Sequence, residues 1–174
     1  MGYGAKELTY AEPFANALVN DPAFRTWVLK QTMFSGFADA RLLHREMQMR
    51  RNAKYWWRSH FTEACRCQGC SGQETDLLAV FETETGFRFA LHVEVKHPGD
   101  KFKQGGRQAT SYPIRAQCWA GKTPAKVVRH SMATTALLCS DTKLFEYADH
   151  ISHFASVFTF EEIKRRFPGA LPAG

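Results

Sequence analysis

A chain of 174 residues, 44% apolar and 13% aromatic, carries enough hydrophobic material for one substantial core and is near the usual size of a single domain. No run approaches the roughly 20 apolar residues of a bilayer-crossing helix, and the charged, aromatic start lacks the apolar region of a secretory leader, so a cytoplasmic protein is expected. Five cysteines, an odd number, argue against a disulfide framework and leave thiols or metal ligands, while a net charge of +6 leans weakly towards a polyanionic partner.

In chain order, Thr9-x-x-Glu12 has the form of a capping box and predicts a short helix through Val19. Asp21-Pro22 supplies an N-cap and a first helical position for a second helix through about Phe34. Phe37 to about Asn52 reads as a third, with Phe37, Leu42, Leu43 and Met47 on its apolar face and a basic polar face. From Glu74 the texture changes. Leu77–Phe81 and Phe87–Lys96 are two strands around the polar segment Glu82–Gly86, a β-hairpin. Lys103 to about Tyr112 is predicted helical despite Gly105 and Gly106, with Pro113 interrupting or kinking it. Ala133–Cys139 is a buried strand, Asp141 opens a helix, Ser156–Phe158 is a short strand, and Thr159-x-x-Glu162 caps a last helix that stops before Pro168. This order implies a mixed sheet flanked by helices, in one domain with a helical part over about 9–58 and a core over about 72–167.

Facing residues of a hairpin have a constant sum, and a turn centred on Thr85 makes that sum 170, so Asp76 should lie opposite Glu94. Opposed side chains have Cβ atoms about 4.5–5.5 Å apart, and two like charges there need compensation. A divalent cation supplies it. Strand alternation puts Glu94 and Lys96 on one face and Val93 and Val95 on the other, towards the core. Two carboxylates and the backbone carbonyl following Glu94, at Val95, form a hard-oxygen set suited to Mg²⁺ or Mn²⁺. Lys96 beside them could orient or deprotonate a water, or stabilise a pentacovalent phosphate.

Asp76, seventeen residues, then Glu94-Val95-Lys96 at a strand end closely resembles the PD-(D/E)XK phosphodiesterase superfamily. Gly72-Gln73-Glu74-Thr75-Asp76 resembles the GxxxD motif, and Gln108-Ala109-Thr110-Ser111-Tyr112 the QxxxY motif, of its RecB-like and lambda-exonuclease-like branch. Glu12 resembles the helical acidic residue that many members place near the metal. The resemblance implies a restriction-endonuclease-like α/β fold and Mg²⁺- or Mn²⁺-dependent hydrolysis of nucleic-acid phosphodiesters, DNA before RNA. It implies metal ligands at Asp76 and Glu94, a catalytic lysine at Lys96, and Gln108 and Tyr112 positioning substrate or the active-site helix. Gly105-Gly106 is an unusual helix opening and Pro113 follows Tyr112 directly, which leaves Gln104 as a substitute for Gln108.

Lys101, Lys103 and Arg107 lie nearest the site in sequence and are the better candidates for gripping phosphates. Arg41, Arg45, Arg50, Arg51, Lys54 and Arg58, interleaved with Tyr55, Trp56 and Trp57, form either a nucleic-acid surface or a solvated helix face beside core tryptophans. Cys65, Cys67 and Cys70 with His60 or His97 are either a structural Zn²⁺ site or ordinary thiols. Two alternatives to the enzyme stand: a catalytically silent module of the same fold that binds nucleic acid or protein, and a zinc-stabilised interaction protein. A chain this small, with no separate specificity domain in view, fits a homo-oligomer or one directed by a partner protein.

Overall fold

The computed structural model describes residues 5–58, 60–61, 70, 74–103 and 107–172. Helix α1, Ala5–Asn20, buries Ala11, Phe14, Ala15 and Leu18, the i, i+3, i+4, i+7 stripe of a one-faced helix. It opens four residues before Thr9, so the expected capping box is absent. The Thr9 hydroxyl instead donates to the Ala5 carbonyl at 3.0 Å, inside the helix. Helix α2, Pro22–Lys30, begins as expected: the Asp21 carboxylate accepts from the Phe24 N–H at 3.0 Å and Pro22 needs no acceptor. It ends short of Phe34. Gln31 and Thr32 switch to tighter bonds with the carbonyls of Val28 and Leu29, and the Thr32 hydroxyl accepts from Phe34 N–H, turning the chain into a 3-10 turn at Ser35–Phe37.

The expected Phe37–Asn52 helix is shorter. Arg41–Leu42 is an edge strand, β1, paired with Phe81 and Glu82, where Arg41 also meets the Glu82 carboxylate at 2.6 Å. Only His44–Arg51 is helical, α3, closed by Asn52 in the left-handed conformation. Trp56 and Trp57 are buried in the core, which removes them from any stacking surface.

Strand β2 (His60–Phe61) pairs with β3 (Glu74–Thr75). Strands β4 (Leu77–Glu82) and β5 (Arg88–Val95) form the hairpin, and Gly86 takes the positive φ of 83° that its turn requires. The pairs run from Leu77↔Val93 to Glu82↔Arg88, so the sum is 170 throughout. Helix α4, Gln108–Gly121, leads to β6, Met132–Cys139, parallel to β5. A 3-10 turn at Asp141–Lys143 stands where a helix was expected to open, and the helix itself, α5, is the single turn Ala148–Ile151. Strand β7, Ser156–Thr159, pairs parallel to β6, and α6, Phe160–Arg166, starts on a Thr159 hydroxyl that accepts from Glu162 N–H.

The described residues thus build an α/β fold with a mixed sheet ordered β1-β4-β5-β6-β7 and six α-helices. One core cluster joins α1, α2 and α6 to the sheet through Phe14, Phe24 and Phe158; Phe14 meets Phe24 edge-on at 5.2 Å. A smaller cluster of Phe102, Tyr112, Leu137, Tyr147 and Phe154 lies around α4, β6 and α5. Among the described residues no helix is long and apolar enough to cross a membrane.

Candidate active site

Asp76 follows β3 directly and precedes β4, one residue beyond the ladder pair Leu77↔Val93, and its carboxyl lies next to that of Glu94 near the end of β5. Both are buried; Glu94 is 1% exposed and Asp76 9%. One Asp76 oxygen, Oδ2, accepts from the Val95 N–H at 2.8 Å, so a strand backbone holds the carboxylate in place. Burial, and then the negative charge of Glu94, push the Asp76 carboxyl well above the usual aspartate range. Glu94 Oε1 accepts from Gln108 Nε2 at 2.5 Å and lies 2.9 Å from Lys96 Nζ, whereas Glu94 Oε2 is buried with no hydrogen-bond donor among the described residues.

Lys96 is 4% exposed and enclosed by polar partners: Glu94 at 2.9 Å, Gln108 Oε1 at 3.1 Å and Asp100 Oδ2 at 3.4 Å, with the Phe102 ring 4.8 Å away on its remaining side. Burial alone would lower its affinity for a proton. The adjacent Glu94 and Asp100 outweigh that and hold the ammonium above the ordinary lysine range. Gln108 is the first residue of α4, and its amide bridges the carboxylate and the ammonium with both ends satisfied.

Tyr112, one turn along, is fully enclosed. Its hydroxyl donates to the Val93 carbonyl at 3.3 Å and accepts from the Asp76 N–H at 3.1 Å, tying the segments that carry Asp76 and Glu94 to the helix. Burial, with Asp76 and Glu94 nearby, raises its ionisation well above the usual tyrosine value, so it remains a donor. The expected helix over Lys103–Tyr112 is displaced: α4 opens at Gln108 and runs through Pro113 to Gly121. Pro113 forfeits one bond of the α4 ladder. The Thr110 and Ser111 hydroxyls, bonded to the carbonyls of Arg107 and Gln108, occupy acceptors of the first turn. Gly105-Gly106 and the substitute Gln104 lie outside the described residues, as do Gly72 and Gln73 of the GxxxD motif.

Two residues at the site carried no prior expectation. Arg115, wholly buried, donates from Nε to Thr75 Oγ1 at 2.8 Å, from Nη2 to the Glu74 carbonyl at 2.9 Å and from Nη1 to Ser111 Oγ at 3.3 Å, and lies 4.4 Å from the Tyr112 ring centre. It clamps α4 to the strand that delivers Asp76. Its place at i+3 from Tyr112 and i+7 from Gln108 was the available signal, since those spacings share one helix face. Arg115→Ala strips donors from a buried carbonyl and hydroxyl and opens a cavity, so the urea midpoint should fall by the equivalent of about 2–4 kcal/mol with the slope unchanged.

The second is Glu7. Burial, then the Asp100 carboxylate beside it, raise its carboxyl above the usual range, and Lys96 and Glu94 also act on it. Glu12, the expected acidic residue of the first helix, stands five residues on, about 140° around the axis. Glu7 is thus an acidic residue of α1 that the charges of Asp100, Lys96 and Glu94 act on. Glu74, raised by burial and by Glu94, adds a further carboxyl nearby.

Of the expected phosphate contacts, Lys101, Lys103 and Arg107 are exposed on the segment between Lys96 and α4. Arg51 turns inward, its guanidinium donating to the Arg58 carbonyl, while Arg50 is exposed. Cys70 is buried; Cys65, Cys67 and the His60 side chain of the zinc expectation lie outside the described residues.

The donor set fits a small hard cation of the Mg²⁺ or Mn²⁺ kind: two buried carboxylates meet, and an oxygen of one lacks a partner. Among the described residues no group of three or more histidine, cysteine, aspartate or glutamate side chains is placed to hold a metal ion. Comparison of the chain with known protein families, curated proteins and solved structures gives no match.

Proposed function

We propose that the protein is a divalent-metal-dependent nuclease of the PD-(D/E)XK type, with the restriction-endonuclease-like fold and the RecB-like site arrangement that its motifs resemble, hydrolysing phosphodiester bonds of DNA. The observation that carries this reading is the buried, opposed Asp76–Glu94 pair with Lys96 and Gln108 closed around it. An exposed hairpin ion pair contributes about 0–1 kcal/mol and requires no burial. A buried acidic pair facing one lysine costs stability unless a ligand uses it. When bound, Mg²⁺ or Mn²⁺ would lower the proton affinity of an attacking water and absorb charge on the phosphate.

The chain's own residues divide the remaining tasks. Asp76 and Glu94 would hold the cation, with the carbonyl of Val95 as a backbone donor. The Lys96 ammonium would give up the longest of its three contacts, Asp100 at 3.4 Å, to pair with a non-bridging phosphate oxygen, while Gln108 keeps it and Glu94 in register. Tyr112 and Arg115 hold the frame, and Lys101, Lys103 and Arg107 border the site as contacts for flanking phosphates.

Supercoiled, linear double-stranded and single-stranded DNA incubated side by side with Mg²⁺, Mn²⁺ or EDTA should show cleavage in the first two conditions only. No cleavage of any of the three with either metal would sink the enzymatic reading.

A further inference from the structure

At the far end of β5 from Glu94 there is an open groove of about 840 Å³, walled by the hairpin turn, the C-terminal end of α4 and the loop entering β6. Arg50, Lys122 and Arg129 line it, all exposed, and no carboxylate within ion-pair distance of them occurs among the described residues. Arg88, also in the wall, differs: Glu82 at 2.6 Å and Glu46 at 2.9 Å already neutralise it. Thr123 and Ser131 add hydroxyls, and Phe87 is an apolar wall residue.

Three uncompensated cations on one concave surface repel one another, and that repulsion is relieved by an anion. The C-terminal end of α4 contributes about half a negative charge, which three full positive charges outweigh. The distance to the acidic site can be taken along two elements. Arg88 to Glu94 is six residues of strand at about 3.3 Å each, and Gln108 to Gly121 is thirteen helical steps of about 1.5 Å, so both paths give roughly 20 Å. At about 3.4 Å per nucleotide, the rise of each strand in a B-form duplex, that span is about six phosphates.

We propose that this groove is a second phosphate-binding surface, which takes the backbone of a nucleic-acid strand some six nucleotides from the strand position held at Asp76 and Glu94. The spacing rests on the nuclease reading; the charge of the groove does not. A phosphodiester backbone is favoured over a small anion because the cations come from three separate segments of an open trough, with no enclosed pocket around them.

The test is fluorescence anisotropy of a labelled duplex of 15 base pairs, in EDTA so that nothing is cut, with wild type and the double variant Lys122→Ala/Arg129→Ala. Both side chains are exposed, so the fold should be undisturbed, which circular dichroism checks. The 15-mer should lose about tenfold in affinity and its salt dependence should drop by about 1.8, near 0.9 for each of the two phosphate contacts removed from a duplex. Equal 15-mer binding by variant and wild type overturns the proposal, as does a mononucleotide that competes as well as the 15-mer. Glu94→Gln keeps the groove intact: if wild type cuts no DNA with either metal, the nuclease reading fails while the groove result stands, and if Glu94→Gln cuts at the wild-type rate, only the assignment of the site to Glu94 fails.

Discussion

Glu94→Gln should fold normally, fail to bind a divalent cation, and lose cleavage by about a thousandfold or more. The side chain keeps its shape, and its Oε1 can still accept from Gln108 and Lys96. What disappears is the full negative charge and the buried, unpartnered Oε2. A carboxylate that holds a catalytic cation contributes several kcal/mol of transition-state charge stabilisation, and each 1.36 kcal/mol is tenfold in rate. Calorimetry with Mn²⁺ and single-turnover cleavage of linear DNA measure the two halves separately. Wild-type turnover in Glu94→Gln would remove this residue from the chemistry. Metal binding that survives with cleavage lost would move the ligand role elsewhere, with Glu7 and Glu74 the nearby candidates.

The hairpin was legible because every level of the sequence agreed there: two β-rich runs, a polar turn, and Gly86 where a positive φ is needed. Once the register sum is fixed, the meeting of Asp76 and Glu94 follows from arithmetic and needs no tertiary information. The boundaries of α1 and α4 were harder. Thr9-x-x-Glu12 is a valid start signal, but the helix begins at Ala5, and Thr9 is an interior residue whose hydroxyl bonds back to the Ala5 carbonyl. The motif pointed at Glu12, and Glu7, which precedes it in the same helix, carried no sequence signal of its own. Strand β1, only two residues long, has no period to detect and exists through its pairing with Phe81 and Glu82. Arg115 was missed for a different reason. A buried arginine is uncommon, and its partners, Thr75, Ser111 and the Glu74 carbonyl, are brought to it by the packing of α4 on the sheet.

Asp76→Asn should abolish cleavage as completely as Glu94→Gln, yet make the metal-free protein more stable. Burial and Glu94 raise the folded-state affinity of Asp76 for a proton above that of the unfolded chain, whose carboxyl is close to 3.8. The sign follows from that direction: the associated stability is complete below the unfolded value and is lost as pH rises through the raised folded value. Wild type in EDTA should therefore melt at lower temperature at neutral pH than in mildly acidic buffer. Asparagine carries no charge to bury and can still accept from the Val95 N–H, so Asp76→Asn should flatten that slope and melt several degrees higher at neutral pH; about 1 kcal/mol corresponds to roughly 2–4 °C in a chain of this size. Adding Mg²⁺ or Mn²⁺ should reverse the ranking in part, raising the wild-type melting temperature by mass action while leaving the variant unmoved. A wild-type midpoint indifferent to both pH and divalent cation would mean that the opposed carboxylates are relieved within the chain itself, by Lys96 and Gln108, and that the buried pair is a structural knot with no cation to hold.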